Sequence, residues 1–359
     1  MRTGAFSAYK FGGVEVMGLS VAIITPWATR CGIFTYSRSL ACALAKLGVD
    51  VYIVRYPRFG FRSPELIESC VLDKIPNVDI IHHQNEYGLL TPNLEGVLYS
   101  KLKQLAKPLV VTMHAVGNYA IDKVVGDVSD KVICHNEFCA RHFQGNPQKV
   151  VVIPHGCEPT QTPPMDECKR ALGIDPRIPV VGYQGFISPT KGVELLIQAM
   201  IDIPEAALLV GGGWFVGEET DYIMRLKQYS LEVLRGRCRW LGYVPDEQLP
   251  TVYGSFDILC YPSIYATESG ALLTGLSHGR ATLASAVPPF KEKEKQGALM
   301  TFKDVEDLKR KIKRLLKDEA LRHRLEEGAR KFAEQNSWVS VAEKHLSLYK
   351  HILGLDKHG

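Results

Sequence analysis

The sequence has no surplus of charge of either sign. Its 43 lysines and arginines against 39 aspartates and glutamates leave a formal net charge of +4 over 359 residues. That is too little for the basic footprint of a nucleic-acid binder, and nucleic acid is set aside as a partner. No apolar run reaches the 18 residues of a membrane span, and residues 1–18 lack the apolar core of a signal peptide. A cytoplasmic protein is expected, with membrane contact peripheral at most: neither residues 303–332 nor Lys101-Leu102-Lys103 joins a long apolar face to clustered cations and interfacial aromatics. The nine cysteines (Cys31, Cys42, Cys70, Cys134, Cys139, Cys157, Cys168, Cys238, Cys260) are odd in number and lack paired spacing. They read as reduced thiols, not as a disulfide framework. Cys134, His135, Cys139 and His142 are the densest group, but Cys134 ends an apolar run and no second ligand pair follows, so no metal site is expected. Absent too is the G-x-G-x-x-G fingerprint, which disfavours a nicotinamide-dependent dehydrogenase. No internal repeat is present.

What is there is a globular composition, 46% hydrophobic and 23% charged, on a chain long enough for two α/β cores. Short Val- and Ile-rich runs alternate with stretches of helical period, the signature of parallel sheets built from βαβ units. The first group of expected strands is 19–24, 51–54, 79–83, 109–113, 131–134 and 150–153. The second is 179–183, 207–210, 238–241, 258–260 and 282–284. Between the groups, residues 154–166 hold four prolines without apolar period and read as a hinge. Residues 1–16, ahead of Met17, read as an extension, 17–160 as the first Rossmann-like domain and 161–336 as the second. Residues 337–359 close the chain with a helix over 339–353 that lines up Val341, His345, Leu348 and Ile352. In 303–332, Leu308, Ile312, Leu315, Leu316 and Leu321 stand at helical spacing, so the charges there are the solvated face of packed helices.

Three strand-to-helix loops carry the chemistry. Pro26-Trp27-Ala28-Thr29-Arg30-Cys31-Gly32 leads into a helix marked by Leu40, Leu44 and Leu47, and a glycine at such a junction lets backbone N–H groups reach an anion or a sugar. Gly185-Phe186-Ile187-Ser188-Pro189-Thr190-Lys191-Gly192 opens a helix over 193–200, where a lysine reaches phosphates as a mobile point charge. Tyr261 through Gly270 precedes a small-residue helix over 271–278 closed by Gly279. There Glu268, Ser269 and Gly270 set one carboxylate and several free amides at a helix start; N-capping alone is the simpler alternative. Ligands of open α/β sheets bind at the carboxyl ends of strands, so the three loops are expected to serve one cleft.

Taken in order, Gly32-Ile33-Phe34-Thr35-Tyr36, Val152-Ile153-Pro154-His155-Gly156, Lys191-Gly192, Val210-Gly211-Gly212-Gly213, Leu241-Gly242-Tyr243-Val244-Pro245 and residues 262–285 resemble glycosyltransferase family 4. The resemblance implies the GT-B fold, two Rossmann-like domains with a nucleoside diphosphate sugar as co-substrate between them and a last helix returning to the first. Gln84-Asn85-Glu86-Tyr87-Gly88 resembles the Gln-His-Glu-aromatic-Gly segment of a subset of the family, with Asn85 in the histidine's place. By this resemblance Gly32 approaches the diphosphate, Lys191 neutralises it and His114 lines the sugar pocket. Ser269, Gly270 and Thr274 fall on donor-binding positions, Glu86 and Tyr36 are acceptor-side candidates, and His155 is structural.

Two positions depart from the family pattern. Phe186 stands where arginine is usual. Of the family's two glutamates, the positions counted back from Gly279 hold Ala266 and Thr274, so Glu268 is the candidate for the first carboxylate from a shifted loop, and the second is missing. The expected activity is retaining transfer of a hexose of mannose or glucose type to a carbohydrate, lipid-linked or small hydroxyl acceptor, without a cofactor or a divalent metal. A GT-B protein that binds a sugar, nucleotide or protein partner with little or no turnover is the alternative that the two departures motivate.

Overall fold

The computed structural model describes residues 9–11, 18–27, 31–56, 63–88, 94–214 and 220–355; residues 28–30 of the first loop lie outside them. The chain divides into two compact units, Met1–Gly156 with Trp338–Gly359, and Cys157–Ser337.

The N-terminal unit holds seven strands among the described residues: β1 (Tyr9–Phe11), β2 (Ser20–Pro26), β3 (Asp50–Tyr56), β4 (Ile80–Asn85), β5 (Leu109–Met113), β6 (Lys131–Cys134) and β7 (Val150–Val152). Their order is β1-β3-β2-β4-β5-β6-β7. All pairs are parallel except β1 with β3, so part of the 1–16 extension forms an edge strand. Five helices alternate with them, α1 (Gly32–Lys46), α2 (Pro64–Cys70), α3 (Leu94–Gln104), α4 (Tyr119–Val128) and α5 (Glu137–His142). β2 shows why the strand runs lack polar alternation: Val21, Ala22, Ile23 and Ile24 are all fully buried. Ala22 and Ile24 join a core with Ile81, Val111 and Val132, while Val21 and Ile23 join a second core with Leu40, Leu44 and Tyr349. Both faces of the sheet are covered, as parallel sheets require.

The C-terminal unit is a six-stranded parallel sheet of β8 (Val180–Gln184), β9 (Ala207–Gly211), β10 (Cys238–Gly242), β11 (Ile258–Tyr261), β12 (Thr282–Ser285) and β13 (Met300–Phe302) in the order β10-β9-β8-β11-β12-β13. Around it lie α6 (Met165–Ala171), α7 (Val193–Met200), α8 (Asp221–Leu234), α9 (Leu249–Gly254), α10 (Gly270–Ser277), α11 (Pro288–Lys295), α12 (Val305–Lys317) and α13 (Glu319–Gln335). Leu308, Ile312 and Leu315 of α12 are fully buried beneath its charged outer face.

The last helix, α14 (Trp338–Ile352), belongs to the N-terminal unit and packs on α1. It buries Val341, His345, Leu348 and Tyr349. Burial of Val341 and Leu348 contributes about 1.5–3 kcal/mol each. Where the chain leaves the unit, Gly156 is obligatory, because a Cβ there would overlap the Trp338 ring.

Strand order reverses between β2 and β4 in the first unit and between β8 and β11 in the second. Loops leaving the carboxyl ends of strands at such a switch point form the crevice where doubly wound sheets bind ligands. Gly32 and Glu86 flank the first switch point. Lys191 and Glu268 flank the second. Among the described residues no helix is long and apolar enough to cross a membrane.

Candidate functional site

In the C-terminal unit the lysine loop is a rigid bracket. Gly185 has φ +153°, residues Pro189–Lys191 make one 3-10 turn, and Gly192, at φ +62°, starts α7 in the left-handed region. A Cβ at Gly192 would overlap the carbonyl oxygen of Pro262, so only glycine lets the two loops touch here. The amide of Ile264 donates to the Thr190 carbonyl at 2.9 Å, joining this loop to the one that follows β11. Lys191 sits on this bracket half-buried, and among the described residues its ammonium has neither a hydrogen bond nor an ion pair. Burial lowers its pKa from the usual lysine value. Gly192 caps α7 with no side chain, so the helix start keeps its partial positive charge beside that lysine. Phe186, 43% exposed, projects from the same loop.

The loop after β11 differs from the expectation in one respect. Ser269 does cap α10, accepting from the Leu272 amide at 3.2 Å. Glu268, expected to offer its carboxylate to a sugar, is instead engaged within the protein. Its Oε1 accepts from the Ser269 amide at 2.8 Å, and its Oε2 pairs with Lys293 of α11 at 2.8 Å, the two side chains being 8% and 5% exposed. Sequence reasoning missed Lys293: it lies 25 positions away, and nothing in its charged helix distinguishes it. Gly270 opens α10 with its backbone exposed. Thr274, partly exposed one turn on, spends its hydroxyl on the Gly270 carbonyl at 2.9 Å.

In the N-terminal unit Gly32 begins α1 exposed, with no side-chain cap from Cys31, and a Cβ there would meet nothing within 4 Å among the described residues. Among the described residues the helix start is open. His114, just past β5, has both ring nitrogens near protein groups: Nε2 lies 3.0 Å from Gln84 Oε1 and Nδ1 lies 3.4 Å from His135 Nε2. Burial first, and then neighbouring histidines, hold its pKa well below the usual value, so the ring is neutral at pH 7. Tyr36 is 1% exposed, packed by the rings of His114, His135, His155 and Trp338, with its hydroxyl 3.4 Å from His345 Nε2. It stands inside the unit as a post that orients His114. Glu86 is half-buried, and its Oε2 accepts from the Gly88 amide at 3.0 Å. His155 bonds the neighbouring Gly156 carbonyl. Gln84, Asn85 and His135 are all buried; the sequence places the first two in a family-like segment and His135 in the cysteine-histidine group, but gives none of them a role at the site. Cys134 and Cys139 are buried and His142 is exposed, and no group of three or more ligand side chains suits a metal among the described residues.

Residues 164–332 match the family model described as glycosyl transferases group 1. The chain is 28% identical over 189 residues to an uncharacterized glycosyltransferase of Methanocaldococcus jannaschii, covering 51% of this chain and 47% of that protein. It is 28% identical over 216 residues to the D-inositol 3-phosphate glycosyltransferase of Corynebacterium jeikeium, covering 56% and 51%. It thus spans about half the length of the curated relatives it matches. The solved structure of Anabaena HepE with UDP-glucose superposes with a TM-score of 0.77 at 16% identity, covering 93% of this chain and all of that one. The chain therefore has the GT-B fold of two Rossmann-like units, and its residues 164–332 match the glycosyl transferases group 1.

Proposed function

We propose that the protein is a glycosyltransferase that moves a hexose of mannose or glucose type from a nucleoside diphosphate sugar to a hydroxyl acceptor, with retention at the anomeric carbon and with no divalent metal required. Lys191 carries this reading. A half-buried ammonium without a counter-charge destabilises the empty protein and becomes favourable once a diphosphate arrives. The open amides at the starts of α7 and α10, including that of Gly270, add preorganised donors for the same anion. When the anomeric C–O bond breaks, charge develops on the departing diphosphate, where Lys191 stabilises it. That phosphate then accepts the proton of the acceptor hydroxyl as the hydroxyl oxygen bonds to the anomeric carbon, so no separate protein base is needed. In the N-terminal unit the open start of α1 at Gly32 suits an anion or sugar for the same reason, and neutral His114 suits an uncharged sugar edge. Glycosyltransferase relatives and a structural neighbour that binds UDP-glucose support the donor class. A cytoplasmic location, with at most peripheral membrane contact, belongs to the same proposal.

Calorimetric titration with UDP-, GDP- and ADP-hexoses tests it. Lys191→Ala should weaken donor binding or transfer by about 2–4 kcal/mol, the scale of a charge-assisted contact to a developing anion. Unchanged affinity and rate would remove Lys191 from the site and the reading with it.

A second reading, sugar-nucleotide binding without turnover, is favoured by the Glu268 carboxylate being committed to Lys293 and by Phe186 and Thr274 offering no charge. Tight donor binding with no sugar transferred to any acceptor and no nucleoside diphosphate released would establish it.

A further inference from the structure

A chemically distinct locus lies in the N-terminal unit, between the end of β4 and the first turn of α3. Glu95 is only 6% exposed, yet among the described residues its carboxylate has no hydrogen bond and no ion pair. Helix capping does not account for it, since no amide of α3 donates to it. Burial, with Glu86 and Asp122 adding negative charge, raises its pKa to about 7. Asp122 itself is satisfied, by the Tyr87 hydroxyl at 2.5 Å and the amides of Gly117 and Gln144 at 2.9 and 3.0 Å. One helical turn beyond Glu95, on the same face, the Tyr99 hydroxyl meets Asn85 Nδ2 at 2.6 Å and His83 Nδ1 at 2.8 Å. Asn85 is 1% exposed, and among the described residues its side-chain oxygen has no partner. Two acceptor groups from different elements, both close enough to Tyr99 to act on its hydroxyl, thus lack a donor among the described residues, which is rare in a native interior unless a ligand supplies it.

We propose that Glu95 and the Asn85 side-chain oxygen bind hydroxyl groups of the acceptor and select an acceptor uncharged at this point over a phosphorylated one. Adjacent hydroxyls of a polyol donate one hydrogen bond to the carboxylate and one to the amide oxygen, completing both. A phosphate in the same place would face Glu86, Glu95 and Asp122 with no proton to give them. This assignment rests on the glycosyltransferase reading, and it extends the acceptor side from Glu86 to residues of the next helix.

The test is saturation-transfer NMR and calorimetry on the full chain with methyl α-mannopyranoside, methyl α-glucopyranoside and their 6-phosphates as probes. The neutral hexosides should bind about tenfold or more tighter than the phosphates. Glu95→Gln should weaken the neutral hexosides about tenfold and narrow that gap. It should leave UDP-hexose affinity within about twofold and raise the melting temperature, because a desolvated carboxylate has been removed. Asn85→Leu is the independent variant and should weaken hexoside binding likewise. Hexoside affinity unchanged in both variants, or a preference for the 6-phosphates, overturns the proposal. The UDP-hexose arm keeps the two readings apart: donor binding without dependence on Glu95 defeats only the acceptor site, while Glu95-dependent hexoside binding without donor binding supports that site and defeats only the donor reading.

Discussion

Replacing Lys293 with methionine removes the cation from a pair in which both side chains are more than nine-tenths buried. Glu268 then keeps the hydrogen bond from the Ser269 amide but loses its counter-charge at a position where its side chain is only 8% exposed. Breaking one partner out of a buried ion pair costs about 3–5 kcal/mol, most of it the desolvation of the charge left behind. For a unit of this size, 1 kcal/mol shifts the melting temperature by about 2–4 °C, so the variant should melt roughly 6–20 °C lower. Glu268→Gln alone strands the ammonium and should cost a similar amount, well above the about 1 kcal/mol of losing a cap. The double variant Glu268→Gln with Lys293→Met strands no charge and should recover most of the loss, giving a coupling energy of at least about 2 kcal/mol in a four-protein cycle read by thermal and urea unfolding. Donor titration on the same proteins completes the assay. If Lys293→Met costs under about 1 kcal/mol while Glu268→Gln abolishes donor binding in a fully stable protein, Glu268 serves the ligand and the structural assignment of the pair is wrong.

Four further outcomes are expected. Gly192→Ala forces a Cβ against the Pro262 carbonyl at φ +62° and should cost about 2 kcal/mol or more while weakening donor binding, because it parts the two loops that hold Lys191; a variant as stable and as tight as the parent would refute the bracket. Thr274→Glu, at a partly exposed position of α10, should tighten nucleotide binding measured by calorimetry, since a carboxylate offers a ribose diol the acceptors that threonine lacks; destabilisation with no gain would show that the position does not face the ribose. Transfer activity should survive EDTA, and its abolition with recovery on added magnesium or manganese would reverse the metal-independent mechanism. Burial holds His345 at about 4 and His83 at about 3. The unfolded chain therefore takes up protons first as pH falls, and the stability due to neutral burial is complete above about pH 6.5 and lost toward pH 4, at about 3 kcal/mol for His345. Melting temperatures from pH 8 to pH 4.5 should show that decline, and a flat profile would contradict it.

The sheets and the loops were legible because their signals are local. A strand buried on both faces writes itself as a Val/Ile run, as in residues 19–24, and a helix start beside a glycine needs only adjacent residues, as at Gly32 and Gly192. The short strands β1 and β13 were not legible, since neither is a Val/Ile run like the equally short β7, and Tyr9–Phe11 is defined by its pairing with residues 51–53. Sequence by itself determined that the chain makes two doubly wound units and that Lys191, Gly32 and the Glu268–Gly270 turn fall where strands end. Only the tertiary structure decided how each side chain is spent. Glu268 goes to Lys293 and Tyr36 goes inside, whereas Lys191 and Glu95 are left without partners among the described residues. The physical reason is that periodicity is a property of neighbours along the chain, whereas desolvation and pairing depend on groups tens of residues apart that meet only when the sheets close.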